Sequence, residues 1–199
     1  MRRFSRFAAM PLLLAASACT SSEPSRFYVL APVESAAPAG ATTATSAPAI
    51  AVGPVEVPKY ADRAEIVSFA SATRLDLAEF DRWGEPLPDN IARVVAENLS
   101  RMLPSDRVVV YSGRRTLPFR YQVAIDVYRF DIEPTGKATL SASWGVQSND
   151  GRAAVPSRRF MRSEDAGSTE IEAKVAAMSR AVAALSREIA DAVRGLPAQ

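Results

Sequence analysis

The chain contains one cysteine and no histidine, and the position of that cysteine limits which part of the chain can fold as a unit. Cys19 ends the run Leu12 to Cys19, Leu-Leu-Leu-Ala-Ala-Ser-Ala-Cys, which follows a basic start at Arg2, Arg3 and Arg6 and an apolar stretch from Phe7 to Ala16. A basic start, a short apolar run and small residues at its end make a secretory signal, too short to stay in a bilayer as a permanent helix. Removal of residues 1–18 leaves 181 of the 199 residues, enough for one domain with its own core.

The small residues Ala16, Ser17 and Ala18 directly before Cys19 resemble the lipobox of bacterial lipoproteins, with Ala16 where Leu is usual. That resemblance implies acylation of the Cys19 thiol and cleavage just before it. Ordinary cleavage after Ala18 would instead leave a free amino-terminal cysteine. Each buried methylene of an acyl chain contributes about 0.8 kcal/mol, so a diacylglyceryl group with a third, amide-linked chain anchors permanently. Thr20 stands where, by resemblance to the sorting rule of enteric bacteria, an Asp would retain a lipoprotein in the inner membrane. The expected address is the periplasmic face of the outer membrane.

Charge and residue usage exclude several classes of function. Arg2, Arg3 and Arg6 account for three of the 24 basic residues, which leaves 21 against 22 acidic ones. A near-neutral mature chain lacks the broad positive field that nucleic-acid binding requires. With no histidine and with Cys19 committed to the anchor, Ser-His and Cys-His nucleophiles, imidazole or thiolate metal sites and internal disulfides are all excluded. No cofactor is expected beyond the covalent lipid on Cys19.

Thr20 to Ser25 is a polar spacer, and Phe27-Tyr28-Val29-Leu30 predicts a short strand. Residues 32–48 are rich in Ala, Pro, Thr and Ser and read as a mobile loop, because such a segment buries too little apolar surface to offset its ordering entropy. Ile50 to Val57 reads as a strand interrupted at Gly53-Pro54, which suggests a bulge or an edge position. Glu65 to Ala70 and Arg74 to Leu77 predict a hairpin, and Phe80, Trp83 and Glu85-Pro86-Leu87 lead towards a helix. That helix is expected to start at an Asp89 cap, to carry Ile91, Val94, Val95, Leu99, Met102 and Leu103 on one face, and to stop near Pro104. Arg107 to Tyr111 follows as a strand, completing a possible parallel crossover.

Phe119 to Ile132 reads as a long strand whose apolar parity changes near Val127-Tyr128, the signature of a bulge. The turn at Pro134-Thr135-Gly136 and the alternation of Ala138, Leu140, Ala142, Trp144 and Val146 predict an antiparallel partner with one wetter face. A third antiparallel strand runs from Ala153 to Met161. Thr169 with Glu172 reads as a capping box, and Ile171, Val175, Met178, Val182, Leu185, Ile189 and Val193 repeat at helical spacing up to Gly195. This stripe must lie against the sheet or a partner helix. The expected fold is α/β, a mixed and largely antiparallel sheet with a βαβ crossover and two main helices in a single compact domain. Its parts are a signal peptide at 1–18, a lipidated tether at 19–25 and a domain at 26–199 with the loop at 32–48.

Several of these segments together resemble a known family. Phe27-Tyr28-Val29-Leu30, the run Val52-Gly53-Pro54-Val55-Glu56-Val57-Pro58-Lys59-Tyr60, Trp83 with Glu85-Pro86-Leu87, Asn98-Leu99-Ser100 and the Ala-rich last helix occur in order behind the lipobox. In that order they are similar to the PqiC (YmbA) family of ABC-type transport auxiliary lipoproteins. The resemblance implies a non-enzymatic component of a lipid transport system that maintains the envelope, with an MCE-domain protein as partner. It also leaves room for self-association into a ring.

Lys59, Tyr60 and Arg63 follow the Pro58 turn, where they would contact a partner or form a solvated turn. Trp83 beside Pro86 and Leu87 reads as an interface anchor or as core over the first helix. Arg158, Arg159 and Arg162 read as a headgroup-binding patch or as charges that protect a sheet edge. Asp62, Glu65, Asp76, Asp81 and Glu85 form the densest carboxylate region and raise the alternative of an envelope hydrolase acting on a sugar bond. A further alternative is a lipid carrier holding an acyl chain between helix and sheet.

Overall fold

The computed structural model describes residues 23–32, 49–103, 107–111, 113 and 118–197. The signal peptide, Cys19 and most of the 32–48 loop lie outside the described residues. The elements run β1 (Arg26–Tyr28), β2 (Ile50–Glu56), β3 (Glu65–Phe69), β4 (Leu75–Trp83), α1 (Leu87–Met102), β5 (Val108–Val110), β6 (Tyr121–Ile132), β7 (Lys137–Ser148), β8 (Ala153–Asp165) and α2 (Ile171–Arg194).

All eight strands belong to one mixed sheet whose hub is β6. On one side β6 pairs antiparallel with β7 over its whole length, from Tyr121↔Ser148 to Ile132↔Ala138. On the other it pairs in parallel with β2 along its first half, Ile50↔Tyr121 to Glu56↔Asp126, and with β3 at its end through Ser68↔Ile132. β8 continues the sheet beyond β7, β5 lies parallel to β2, and β4 pairs with β3 and then in parallel with β1. The ladder between β6 and β7 shifts register between Val127 and Arg129, which leaves Tyr128 as the extra residue. The parity change in the sequence is therefore a bulge, with Val127 and Phe130 both turned into the core at 5% and 1% exposure.

The helices cover one face of this sheet. α1 packs on β2 and β5, α2 packs on β7 and β8, and the two helices touch each other. Val175, Met178, Val182, Leu185, Ile189 and Val193 of α2 are all buried, so the apolar stripe lies against the sheet and α1. The indole Nε1 of Trp144 donates to Glu188 Oε1 at 3.0 Å, and Asn98 Nδ2 donates to Ser186 Oγ at 3.1 Å across the helix pair. Buried polar atoms are thereby matched where the apolar stripe alone would leave them without partners.

Several local expectations are corrected. β2 carries the bulge, between Val52 and Val55, but it is flanked on both sides by β5 and β6 and is not an edge strand. Pro54 sits inside the irregularity, where its missing N–H removes no regular ladder bond. α1 starts from Pro86 with no side-chain cap, and Asp89 lies in its first turn. Pro88 suits that first turn because its missing N–H is among those without intrahelical partners, and the Asp89 carboxylate still faces the positive helix end.

The Thr169 and Glu172 box does not form either: α2 is capped at Glu170 with no side-chain bond, while Ser168 Oγ accepts the Glu170 N–H at 3.2 Å. β4 reaches Trp83 and β8 reaches Asp165, both longer than expected. The parallel partner of β5 is β2, so the β3–β4 hairpin is inserted into the crossover together with α1. β7 has the expected wetter face: Ser141 and Gly145 are half-buried and Gln147 exposed, with Thr139 and Ser143 buried among them, whereas Ala138, Leu140, Ala142, Trp144 and Val146 on the other face are all buried.

Leu185 of α2 is fully buried. Leu185→Ala is expected to lower unfolding free energy by about 2–5 kcal/mol. Met161→Ala, on the exposed face of β8 at 74% exposure, should change it by less than about 0.5 kcal/mol. Urea denaturation midpoints of the two variants check both values.

Candidate functional site

The loop after β2 is the best exposed of the segments expected to meet a partner. The N–H groups of Ala61 and Asp62 both donate to the Pro58 carbonyl, at 2.9 and 3.0 Å, and this tight turn pushes Lys59 outward. Lys59 has a side chain that is 95% exposed, with its Nζ 3.4 Å from Asp62. Arg63 lies further along the same loop, 2.9 Å from Glu65, whose carboxyl it holds below the usual range chiefly by donating a hydrogen bond.

Tyr60 is fixed from beneath. Its hydroxyl donates to Asp131 Oδ2 at 2.9 Å, and its ring meets the Phe69 ring edge-on at 5.8 Å between centroids. Asp131 is fully buried and also accepts from Arg129 Nε at 3.0 Å. Arg129 spans to Glu133 at 3.2 Å, and Glu133 accepts from Thr139 Oγ1 at 2.7 Å, which in turn shares a hydrogen bond with Ser163. Burial, then the negative charge of Asp131, pushes the Tyr60 phenol above its ordinary range. This network lies on the face of the sheet turned away from the helices and was missed in the sequence. The detectable signal was the two-residue spacing of Arg129, Asp131 and Glu133, which puts three charges on one strand face beyond the bulge.

Trp83 belongs elsewhere. It is 6% exposed and packs in the core, so its ring is not offered to a partner. Register explains this: Trp83 pairs with Tyr28, one step beyond Asp81 and Arg26, on the side of β4 that faces inward. Asp81 beside it accepts from Arg26 Nε at 2.6 Å and from the Tyr28 hydroxyl at 3.1 Å. The hydrogen bond from Arg26 is the main cause that holds the Asp81 carboxyl below its usual range, against the opposing effect of burial.

The acidic stretch does not make a two-carboxylate centre. Asp62 faces Lys59, Glu65 faces Arg63, Asp81 faces Arg26 and Glu85 faces Arg93 at 2.8 Å, each in its own ion pair. Asp76 is exposed on β4. Among the described residues no group of acidic side chains is placed to hold a metal ion. Arg158, Arg159 and Arg162 all lie on β8, which pairs only with β7. Arg158 stacks over Trp144 at 5.9 Å, Arg159 over Tyr128 at 6.0 Å, and Arg162 is 2.7 Å from Glu164. A groove of about 700 Å³ opens where α2, β8 and Ala31-Pro32 meet, rimmed by Arg162, Glu164, Arg180 and Arg187. Its charged rim does not match an acyl-chain site between helix and sheet. No helix among the described residues is long and apolar enough to cross a membrane.

Two variants test these electrostatics. Tyr60→Phe leaves the buried Asp131 with one fewer donor and is expected to cost about 1–3 kcal/mol. Because the folded state raises the Tyr60 pKa, its contribution is complete below about pH 10 and lost as pH rises further, so the variant should flatten the alkaline limb of a stability curve. Asp81→Asn should cost about 1.5–3 kcal/mol at neutral pH, the range for hydrogen bonds to charged groups. Since the folded state lowers the Asp81 pKa, that difference should shrink as pH falls below about 4.

Comparison with known proteins follows the same outline. An uncharacterized protein of known crystal structure superposes with a TM-score of 0.68 at 20% identity, covering 85% of this chain and 98% of that one. A DUF330-family protein from Xanthomonas campestris gives a TM-score of 0.61 at 21% identity, over 82% of this chain and 92% of that one. At such identity the likeness is one of fold. A comparison with curated proteins found no match. The family model described as the ABC-type transport auxiliary lipoprotein component matches residues 28–190, from β1 to near the end of α2. The chain therefore belongs to the family of ABC-type transport auxiliary lipoprotein components.

Proposed function

We propose that this protein is the outer-membrane-anchored subunit of an ABC-type lipid transport system, and that it maintains the envelope by binding and positioning an MCE-domain partner. The family match over residues 28–190 is the observation that carries this reading. Cys19, the single cysteine of the chain, would hold the lipid, and Thr20 behind it would direct the chain to the periplasmic face of the outer membrane. The body then works without chemistry of its own. Its carboxylates are distributed over separate ion pairs, which suits a rigid binding module better than a hydrolase.

Within this reading Lys59, Tyr60 and Arg63 form the docking loop. Lys59 and Arg63 supply exposed positive charge, and Tyr60 ties the loop to the sheet through Asp131. A loop so braced loses little conformational freedom on binding. Further copies of the chain, if they assemble, would repeat this loop around the partner.

A photo-crosslinking residue at Lys59 or Arg63 in intact cells is expected to trap an MCE-domain protein, identified by mass spectrometry. Recovery of only this chain and bulk lipoproteins would refute the transport partner. Radiolabelled palmitate should enter the wild-type protein and not Cys19→Ala.

A further inference from the structure

We infer that the β1 edge of the sheet is a lipid-contact face, on which Phe27 and Val29 rest in the headgroup region of the bilayer with Arg82 beside them. This rests on the proposed acylation of Cys19.

Among the described residues β1 pairs with β4 alone and ends the sheet on that side. Its residues divide sharply. Arg26 and Tyr28 both point at Asp81, and Leu30 is buried, with its N–H donated to Asn90 Oδ1 at 3.1 Å. Alternation puts Phe27 and Val29 on the opposite face, where they are 67% and 52% exposed. The aromatic side chain of Phe27 on the edge strand and the β-branched side chain of Val29 just past its end are apolar surface that the described chain leaves uncovered. Phe27 is in register with Arg82, so the two share a face of the sheet. Arg82 is in register with Glu65, whose partner is Arg63; Arg82 is half-buried, with its Nε enclosed by the protein and the rest of the side chain at the rim of this face. An apolar pair flanked by guanidinium groups is suited to a phosphate-bearing lipid surface.

Chain length decides which surface lies within reach. Six residues, Thr20 to Ser25, separate Cys19 from Arg26, and the stretch can span at most about 25 Å. From Arg26 onward the chain is tied in by β1. A domain of this size is about 40 Å across. The tether is thus shorter than the body is wide, which keeps the β1 corner on the side of the body nearest the bilayer that holds the anchor.

The test uses the full acylated chain carrying Phe27→Cys, labelled with an environment-sensitive fluorophore and reconstituted in phosphatidylethanolamine and phosphatidylglycerol vesicles. Acylation consumes the single native thiol, so the label goes only to the new one. The control is Arg152→Cys in the β7–β8 turn, which is bound to Arg120 at the opposite end of β6 from the β3–β4–β1 extension. The expected result is several-fold stronger quenching by lipid-borne nitroxides at position 27 than at 152, and several-fold weaker quenching by aqueous iodide. Equal iodide quenching at the two positions overturns the proposal. So does protection of position 27 that appears only on adding the partner protein or on raising the density of this chain, which would assign the face to a protein. The mass of the amino-terminal peptide is read from the same sample: an unacylated Cys19 overturns the tether and the inference together, whereas an acylated chain with a water-exposed position 27 overturns the lipid contact alone.

Discussion

One extra residue in β6 holds the architecture together. Before Tyr128 the core-facing residues are Tyr121, Val123, Ile125 and Val127, and after it they are Phe130 and Ile132. The bulge resets the parity, so both halves of a twelve-residue strand keep their apolar side under the helices. The division of the sheet falls at the same place. β2 pairs with β6 as far as Asp126, and β3 takes over at Ile132, so the two arms β2–β5 and β3–β4–β1 leave the hub on either side of the bulge. Without that reset, the residues of one arm would face the helices with their polar side.

The same reset explains the outer face. Arg129 and Asp131 follow the bulge and point away from the helices, and there they collect Tyr60 from the loop after β2 and Glu133 from the strand end. A carboxylate with no solvent exposure is tolerable because a guanidinium and a phenol both donate to it. Charges used in this way stabilise position and are withdrawn from chemistry. Among the described residues the acidic side chains are spread over separate ion pairs, and no group of them is placed to hold a metal ion.

Three features gather at one corner of the sheet. β1 leads in from the tether, Phe27 lies in register with Arg82, and Arg82 lies in register with Glu65, the partner of Arg63. The edge proposed to meet lipid and the loop proposed to dock a partner are therefore neighbours on one face. A tether too short to let the body tumble and an interface placed beside it would together set the height and orientation of a partner above the bilayer. The Arg26 and Asp81 pair ties β1 to β4, and the Tyr60 and Asp131 bond ties the loop after β2 to β6.

The sequence by itself determined what depends on near neighbours. The period of Val175 to Val193 specified α2 and its buried face, the parity change at Val127-Tyr128 specified the bulge, and the turn at 134–136 with the alternation from Ala138 to Val146 specified the β6–β7 hairpin. Tertiary structure decided what depends on distant partners. The parallel pairings of β1 with β4 and of β2 with β6 join residues more than 50 positions apart, and alternation says which face a residue takes but not which strand lies beside it. Trp83 and Tyr60 show the same limit. Both are aromatic residues near turns, yet register turned one into the core and a buried carboxylate 71 positions away fixed the other at the surface. Local pattern records the solvent preference of each side chain; only the assembled sheet supplies the neighbours that use it.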